Sequence, residues 1–449
     1  MVVGEDGSVF ASGYNNSGQL GTGDNDTRLT PTRVAGLPPL SGRVRQVATG
    51  GKHNGIVTEP GDLLMCGCGR RGRLGLGDEE DRTTPTPVAR AMFDDEAVLM
   101  VACGLAHTAV ATEGGGVYTF GYGEYGQLGH GDEENQLAPR RVPAVGFNGE
   151  RIVMVAAGGR HTVALSEAGH VFTWGDGEDG QLGHGDRESQ RAPRQVEAGR
   201  FGGETVVFVA AWGGLTVAVT AGGRLYTWGC GRLGRLGHGD TGNRLAPTLV
   251  GAQAFGGSAV VMAACGSMHT LVVTEDGALW ACGFGLYRHL GLSDRVVTWP
   301  VFQRIGAGAF GSVRVVAAAA GSAHSAAVTE DGALWTWGTG YRGQLGRSNE
   351  EQRLVPTRVT AASLEGTRIG RCRPLPRGHA LALAMGTHSR LGAASPVRVL
   401  GGEVSLLTMI AGFSGAWVAG VAGRSEGLVR LLGGVTAKPA HRYQMETVG

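Results

Sequence analysis

Apolar residues along this 449-residue chain come in short bursts separated by glycine-centred turns. His269-Thr-Leu-Val-Val-Thr274 is rich in β-branched residues, Glu275-Asp-Gly277 interrupts it, and Ala278-Leu-Trp-Ala-Cys282 follows as a second apolar run. Two β-rich runs around an Asp-Gly step predict a hairpin, because glycine accepts positive φ without a Cβ clash. The turn glycine returns at Gly7, Gly61, Gly115, Gly169, Gly223, Gly277 and Gly332. No segment of helical period interrupts the series.

A second block follows each hairpin. Trp174-Gly-Asp-Gly-Glu-Asp-Gly-Gln-Leu-Gly-His-Gly-Asp186 has near-copies at 120–132 and 228–240. Its first glycine recurs at Gly13, Gly67, Gly121, Gly175, Gly229, Gly283 and Gly338, five steps of 54 residues and then one of 55. A histidine keeps the same step at His53, His107, His161, His269, His324 and His379, with Leu215 in the vacant place. A proline follows the block at Pro31, Pro85, Pro139, Pro193, Pro247 and Pro356, displaced to Pro300 in the sixth copy. An open stack of such units would leave bare sheet edges, whereas a closed ring protects them. The expected fold is therefore all-β: a seven-bladed β-propeller of four-stranded antiparallel blades.

The ends predict how the ring closes. Residues 1–7 match 271–277, so the chain begins inside a unit and lacks that unit's opening strands. A segment after residue 371 must supply them. Gly378-His-Ala-Leu-Ala-Leu-Ala384 has the right start, and the stretch from Met409 to Trp417 also reads as an opening strand pair. The expected organisation is one propeller over 1–433, with 372–433 a degenerate closing region, and a tail over 434–449.

Composition narrows the function. Glycine at 81 residues far exceeds the average of about 7%, yet 42% of positions are hydrophobic, so the chain can bury a large core. Forty basic against 39 acidic residues leave a formal charge of +1, which gives no reason to expect nucleic acid as a partner. Seven cysteines and no basic-then-apolar leader predict a reducing compartment, cytoplasmic or nuclear. Residues 404–423 are uncharged over about a bilayer's span, but their Gly- and Ser-broken pattern matches repeat strands, so no membrane span is expected.

The unit His161-Thr-Val-Ala-Leu, continued by Val171-Phe-Thr-Trp-Gly175 and Gly180-Gln-Leu-Gly-His-Gly-Asp186, resembles the regulator of chromosome condensation repeat. The resemblance covers residues 1 to about 360 strongly and the remainder weakly. It implies a seven-bladed propeller and leaves function open. The family includes an exchange factor for the nuclear GTPase Ran, a plant ultraviolet-B photoreceptor and accessory domains of ubiquitin ligases. The photoreceptor's device is a set of tryptophans in Gly-Trp-Arg-His-Thr motifs; here Gly158-Gly-Arg-His-Thr162 has glycine at that place. The exchange factor uses a protruding wedge, and the unbroken repeat step leaves no insertion for one.

Each motif with a chemical spelling also has a bland reading. Gly121-Tyr-Gly-Glu-Tyr-Gly126 fits a dinucleotide fingerprint, but the pattern recurs at 67–72, 175–180 and 229–234, whereas a true fingerprint occurs once and opens a helix. One histidine per blade spreads the ladder around a ring, which suits hydrogen bonding to the blade backbone better than metal ligation. The series His130, His184 and His238 reads the same way. Cys66 and Cys68 fall at packing positions, and Gly423-Arg-Ser-Glu-Gly427 lacks the strand-to-helix setting of a nucleophile elbow. No catalytic, cofactor or metal residues are assigned, and no enzyme activity is expected.

What remains is recognition by loops on a rigid ring. The loops after Leu-Gly carry Asp78-Glu-Glu-Asp-Arg82, Asp132-Glu-Glu134 and Asp186-Arg-Glu188, which reads as a solvated rim or as a surface for a basic protein. The sixth unit departs most: Arg288-His-Leu-Gly291 replaces Gly-Gln-Leu-Gly, and apolar or aromatic residues flank it. Leu286, Tyr287, Arg288, Val296, Val297 and Trp299 are the candidate partner-binding residues. The fifth unit carries a second oddity, Trp212 with Leu215. The expected function is a non-catalytic protein-interaction scaffold or regulatory module, the alternative being guanine nucleotide exchange on a small GTPase.

Overall fold

The computed structural model describes residues 1–4, 6–37, 44–292 and 297–360, positions 364, 365, 367 and 369, and the strands Leu407–Ala411, Trp417–Gly420 and Met445–Glu446. Six sheets of four antiparallel strands follow one another in the chain, and the N-terminal strands Val2–Val3, Val9–Gly13 and Arg28–Arg33 form part of a seventh. These are seven blades of a β-propeller. Blade 1 holds the N-terminal strands and blades 2 to 7 follow in sequence order.

Blade 4 shows the pattern. From the ring centre outward it contains Ile152–Ala157, His161–Ser166, Val171–Gly175 and Gln190–Gln195. The three inner strands are buried throughout, while in the outermost only Pro193 is buried. Register shifts between Ile152 and Met154 and between Thr173 and Gly175 mark bulges, which add the twist a blade needs.

Closure falls where the missing half-unit requires it. Leu407–Ala411 lies against Val315–Ala320 of blade 7 and Val44–Thr49 of blade 2, as each innermost strand lies between those of its neighbours. Trp417–Gly420 pairs with it and lies against Val2–Val3. Ile369 bridges to Gly4, one repeat step after the equivalent pair Val315 and Thr329. The alternative opening strand at 378–384 lies outside the described residues. Within 404–423 the described segments are strands, and no helix among the described residues is long and apolar enough to cross a membrane.

Neighbouring blades lock through the repeated residues. In blade 4 the Trp174 indole donates to the Gln127 carbonyl of blade 3 at 2.9 Å; Trp228 and Trp337 repeat this contact one blade and three blades on. The ring needs room over the preceding Leu-Gly pair. A Cβ on Gly129, whose φ is +76°, would stand 2.7 Å from Trp174 Nε1. That glycine serves both backbone and packing.

One register differs from the sequence expectation. In blade 6, Gly283 pairs with Trp299 and Ala281 with Gln303, so Phe302 holds the place of Pro247 in blade 5. Pro300 is therefore not a displaced copy of the repeat proline. Phe302 covers Gly237 as Pro247 covers Gly183.

Candidate functional site

The ladder histidines have a different partner from the one expected. His161 Nε2 lies 2.9 Å from Thr216 Oγ1 of the next blade, and His53 with Thr108 and His107 with Thr162 repeat the contact. Each threonine hydroxyl donates onward to a main-chain carbonyl, Thr216 to Gln181 at 2.8 Å. Since the hydroxyl proton is committed, the histidine must carry its own proton on Nε2. The ladder thus bonds a side chain across the blade interface and, through it, a main-chain carbonyl. The signal was present in the sequence, because each such hydroxyl directly follows the next ladder position: His107-Thr108, Leu215-Thr216, His324-Ser325.

Burial sets the protonation state. It pushes His107 down to about 3 and His161 to about 4, so both imidazoles are neutral near pH 7. No three His, Cys, Asp or Glu side chains among the described residues are grouped as metal ligands would be. His130, His184 and His238 bond to threonines of their own blade. Among the described residues six cysteines are free and buried, and burial raises the Cys66 thiol to about 12. Such thiols are poor nucleophiles.

Blade 5 keeps the interface by another device. Leu215 cannot donate, and the buried Trp212 indole instead bonds Ser267 Oγ of blade 6 at 2.9 Å. The paired oddity of the fifth unit is thus a replacement latch.

With the interior committed to holding the ring, the loops are left for recognition. On one face lie the turns joining the first and second strands, and the long loops joining the third and fourth. Each long loop begins with a tip of a few residues before Leu-Gly and continues as an outer rim. The blade 6 tip exposes Leu286 (57%) and Tyr287 (39%), and Arg288 beside them. Val297, 48% exposed, lies across the same loop, where its carbonyl accepts from Gly285 N–H at 2.7 Å. Tyr287 packs against Phe284 and over buried His289, with ring centroids 6.0 and 6.2 Å apart. Val296 lies outside the described residues. Trp299 is half-buried against the core in the outermost strand, with its indole nitrogen enclosed and without a partner. The structure therefore brings Leu286, Tyr287, Arg288 and Val297 to one exposed loop and gives Trp299 a packing place.

The rim is acidic in sequence but largely tied up in space. Arg82 holds Asp78 at 2.6 Å, Arg140 holds Asp132 at 2.8 Å and Arg191 holds Glu133 at 2.9 Å. Exposed pairs of this kind contribute about 0–1 kcal/mol each to stability. Their effect here is to mute the field of the rim.

A ring of near-identical blades with variable loop tips defines a class of binding and regulatory propellers. Models of known families place the chain within it. The "RCC1-like domain" matches residues 143–384, and the "Regulator of chromosome condensation (RCC1) repeat" matches 6–57, 60–111 and 114–165. The chain belongs to the RCC1 repeat family. It is similar to the ultraviolet-B receptor UVR8 of Arabidopsis thaliana, 35% identical over 366 residues that span 80% of this chain and 79% of the receptor. It is also 35% identical to part of the E3 ubiquitin-protein ligase HERC2 of Homo sapiens, covering 83% of this chain but 7% of the ligase. Among solved structures it resembles human WBSCR16, with a TM-score of 0.70, 27% identity, and coverage of 79% of this chain and 94% of that one. Prp20p of Saccharomyces cerevisiae, described with its binding to Gsp1p and histones, superimposes with a TM-score of 0.69 at 25% identity over 79% and 86% of the two chains.

Proposed function

We propose that this protein is a non-catalytic interaction module that captures a protein partner on its loop face, with blade 6 at the centre of the contact. The observation that carries this reading is the exposed cluster Leu286, Tyr287, Arg288 and Val297 on a ring whose interior residues are committed to holding blades together. An apolar and aromatic anchor beside an arginine is the composition of an interface hot spot. The six free, buried cysteines suit a reducing compartment, and we place the protein in the cytosol or nucleus.

Affinity capture with the whole chain, followed by titration of the purified partner, tests the reading. Leu286→Ser with Tyr287→Ala should weaken binding about tenfold or more, the scale of losing one hot spot. Unchanged affinity would remove blade 6 from the interface. Guanine nucleotide exchange is the competing function, favoured by the likeness to Prp20p. It is tested by loading a Ran-type GTPase with a fluorescent GDP analogue and adding the chain in catalytic amount. The module reading expects no acceleration of release; acceleration would replace it with exchange.

A further inference from the structure

The arginines of the loop face divide into two sets. Apart from Arg187 and Arg347, which donate to main-chain carbonyls, most of those of the rim and outer strands are engaged with carboxylates, as in Arg82 with Asp78 and Arg244 with Asp240, both at 2.6 Å. Those at the tips and inner turns are not. Arg70, Arg71, Arg160, Arg232, Arg288 and Arg342 are all exposed, and none forms an ion pair among the described residues. Several are nonetheless held in place. The Arg71 guanidinium lies 3.8 Å from the ring centre of Tyr122, Arg160 4.2 Å from that of Tyr125, and Arg342 4.3 Å from that of Tyr14. Stacking occupies the flat face of a guanidinium and leaves its N–H edge free for a carboxylate.

Their order around the ring is uneven. The tips of blades 5, 6 and 7 carry Arg232, Arg288 and Arg342, blade 1 has the uncharged Tyr14-Asn-Asn, and blade 2 has Arg70 and Arg71. Carboxylates reach the tips only in blades 3 and 4, as Glu124, Glu178 and Asp179. Five consecutive blades thus form a cationic arc, and blade 6 with Leu286 and Tyr287 lies within it.

Arg288 adds a second, independent observation. The same position is glycine in the other six blades, each with φ between +73° and +83°. Arg288 keeps the left-handed turn with φ +63°, and its loop closes more loosely: Gly291 N to Arg288 O is 3.5 Å, against 2.9 Å for Gly75 to Gly72. A non-glycine residue in that region is strained, and strain retained on an exposed loop points to use.

We infer that the arc from blade 5 through blade 2 binds a projecting acidic segment of a partner protein, with Arg288 contacting carboxylates and Leu286 and Tyr287 packing an adjacent apolar side chain. This rests on the module reading above and adds the chemistry of the partner. Charge complementarity selects the occupant. A long polyanion such as nucleic acid, laid across the face, would meet Glu79, Asp81, Glu134 and Glu350 outside the tips, exposed carboxylates that form no ion pair among the described residues. A short protein segment entering over the arc avoids them.

The test uses the full chain and three labelled probes in fluorescence anisotropy: a 12-residue Glu/Asp peptide with a central Phe, its Lys counterpart, and a 12-nucleotide single strand. The acidic peptide should bind most tightly and weaken as salt rises. Arg232→Ala with Arg288→Gly and Arg342→Ala should reduce that binding about tenfold or more, a loss on the scale of charged interface contacts. Arg288→Gly alone should keep or raise the melting temperature, so lost binding is not lost folding. Tighter binding of the Lys peptide or the oligonucleotide would overturn the inference, as would acidic binding that survives the triple variant. A dimer in sedimentation that the triple variant dissociates would also overturn it, by making a second copy's blades 3 and 4 the occupant. If Leu286→Ser with Tyr287→Ala weakens a captured partner while the arginine variants do not, the module reading stands and only the acidic chemistry fails.

Discussion

Blades 4 and 6 are the same four strands with different business at their loop ends. In blade 4, Trp174 reaches the Gln127 carbonyl, Gln181 follows the tip glycine, and the tip carries Glu178 and Asp179. In blade 6 the equivalent places hold Cys282, which reaches the Arg235 carbonyl at 3.4 Å, His289 after Arg288, and the tip Leu286-Tyr287. The ring tolerates these exchanges: the Cys282 thiol still donates to the neighbouring carbonyl, and His289 fills the buried place of Gln181, though neither of its ring nitrogens has a hydrogen-bond partner among the described residues. The tip answers to no such requirement. Binding specificity can therefore change at a tip without touching the ring, which is why the departure of blade 6 is informative.

The comparison breaks most visibly at the shared scaffold. Gly129→Ala places a Cβ at positive φ against Trp174 Nε1, and should cost about 3 kcal/mol, combining left-handed strain with overpacking. Gly237→Ala meets the Phe302 ring in blade 6 and should cost about the same, if both blades are one scaffold. Chemical unfolding of the two variants measures this. A benign Gly237→Ala would mean that blade 6 is packed by different rules.

Acid should separate the two blades next. The ladder histidines are neutral when folded, their pKa lowered by burial, against an unfolded value of about 6.5. Below that value the unfolded chain binds protons that the native state refuses. Stability is thus fully present above pH 6.5 and is lost as pH falls toward about 4, by up to about 1.4 kcal/mol per pH unit for each histidine. Blade 6 carries as its second lowered histidine the buried His289, pushed down to about 3, with its ring 4.4 Å from that of His269, where blade 4 has the half-buried His184, pushed down to about 4. Hydrogen exchange as pH falls below about 4 should show blade 6 losing protection before blade 4. Simultaneous loss would show that His289 adds nothing to the acid response.

Smaller effects sharpen the division within blade 6. Trp299→Ala removes a half-buried indole and should cost about 1–2 kcal/mol. Leu286→Ser with Tyr287→Ala should stay within about 0.5 kcal/mol of the parent, as expected of exposed positions. Thermal melts of both variants settle the order; the reverse ranking would put Tyr287 in the core and Trp299 at the surface. Arg288→Gly should be slightly stabilising, by less than about 1 kcal/mol, because it relieves a positive φ.

The fold was legible because a blade is a local object. Each 54-residue step carries its own turn glycines and apolar bursts, and the half-unit at Met1 announces that another segment must finish it. The histidine ladder was read as structure, but the contact it makes was missed: its partner stands 55 residues away, and only the hydroxyl repeated after each ladder position marks it. Pro300 misled for a related reason: spacing alone cannot register an outer strand across a bulge, whereas the pairing of Gly283 with Trp299 does.

The candidate site was half visible. Leu286, Tyr287 and Arg288 depart from the repeat in plain sequence, and the structure leaves them exposed. Trp299 departs just as clearly, yet it turns toward the core. The number of blades, the need for a later segment to complete the first blade and the unit that differs were legible in the sequence, since all three are properties of a period and its interruption; which stretch closes the ring was not, and it follows from the pairing of Leu407–Ala411 with Trp417–Gly420. Tertiary structure alone decided which arginines are engaged. Arg82 and Arg232 look alike in the chain, but one lies beside a carboxylate 2.6 Å away and the other stands at a tip and forms no ion pair among the described residues. Charge pairing depends on distances of a few ångströms between loops, and no repeat period encodes those.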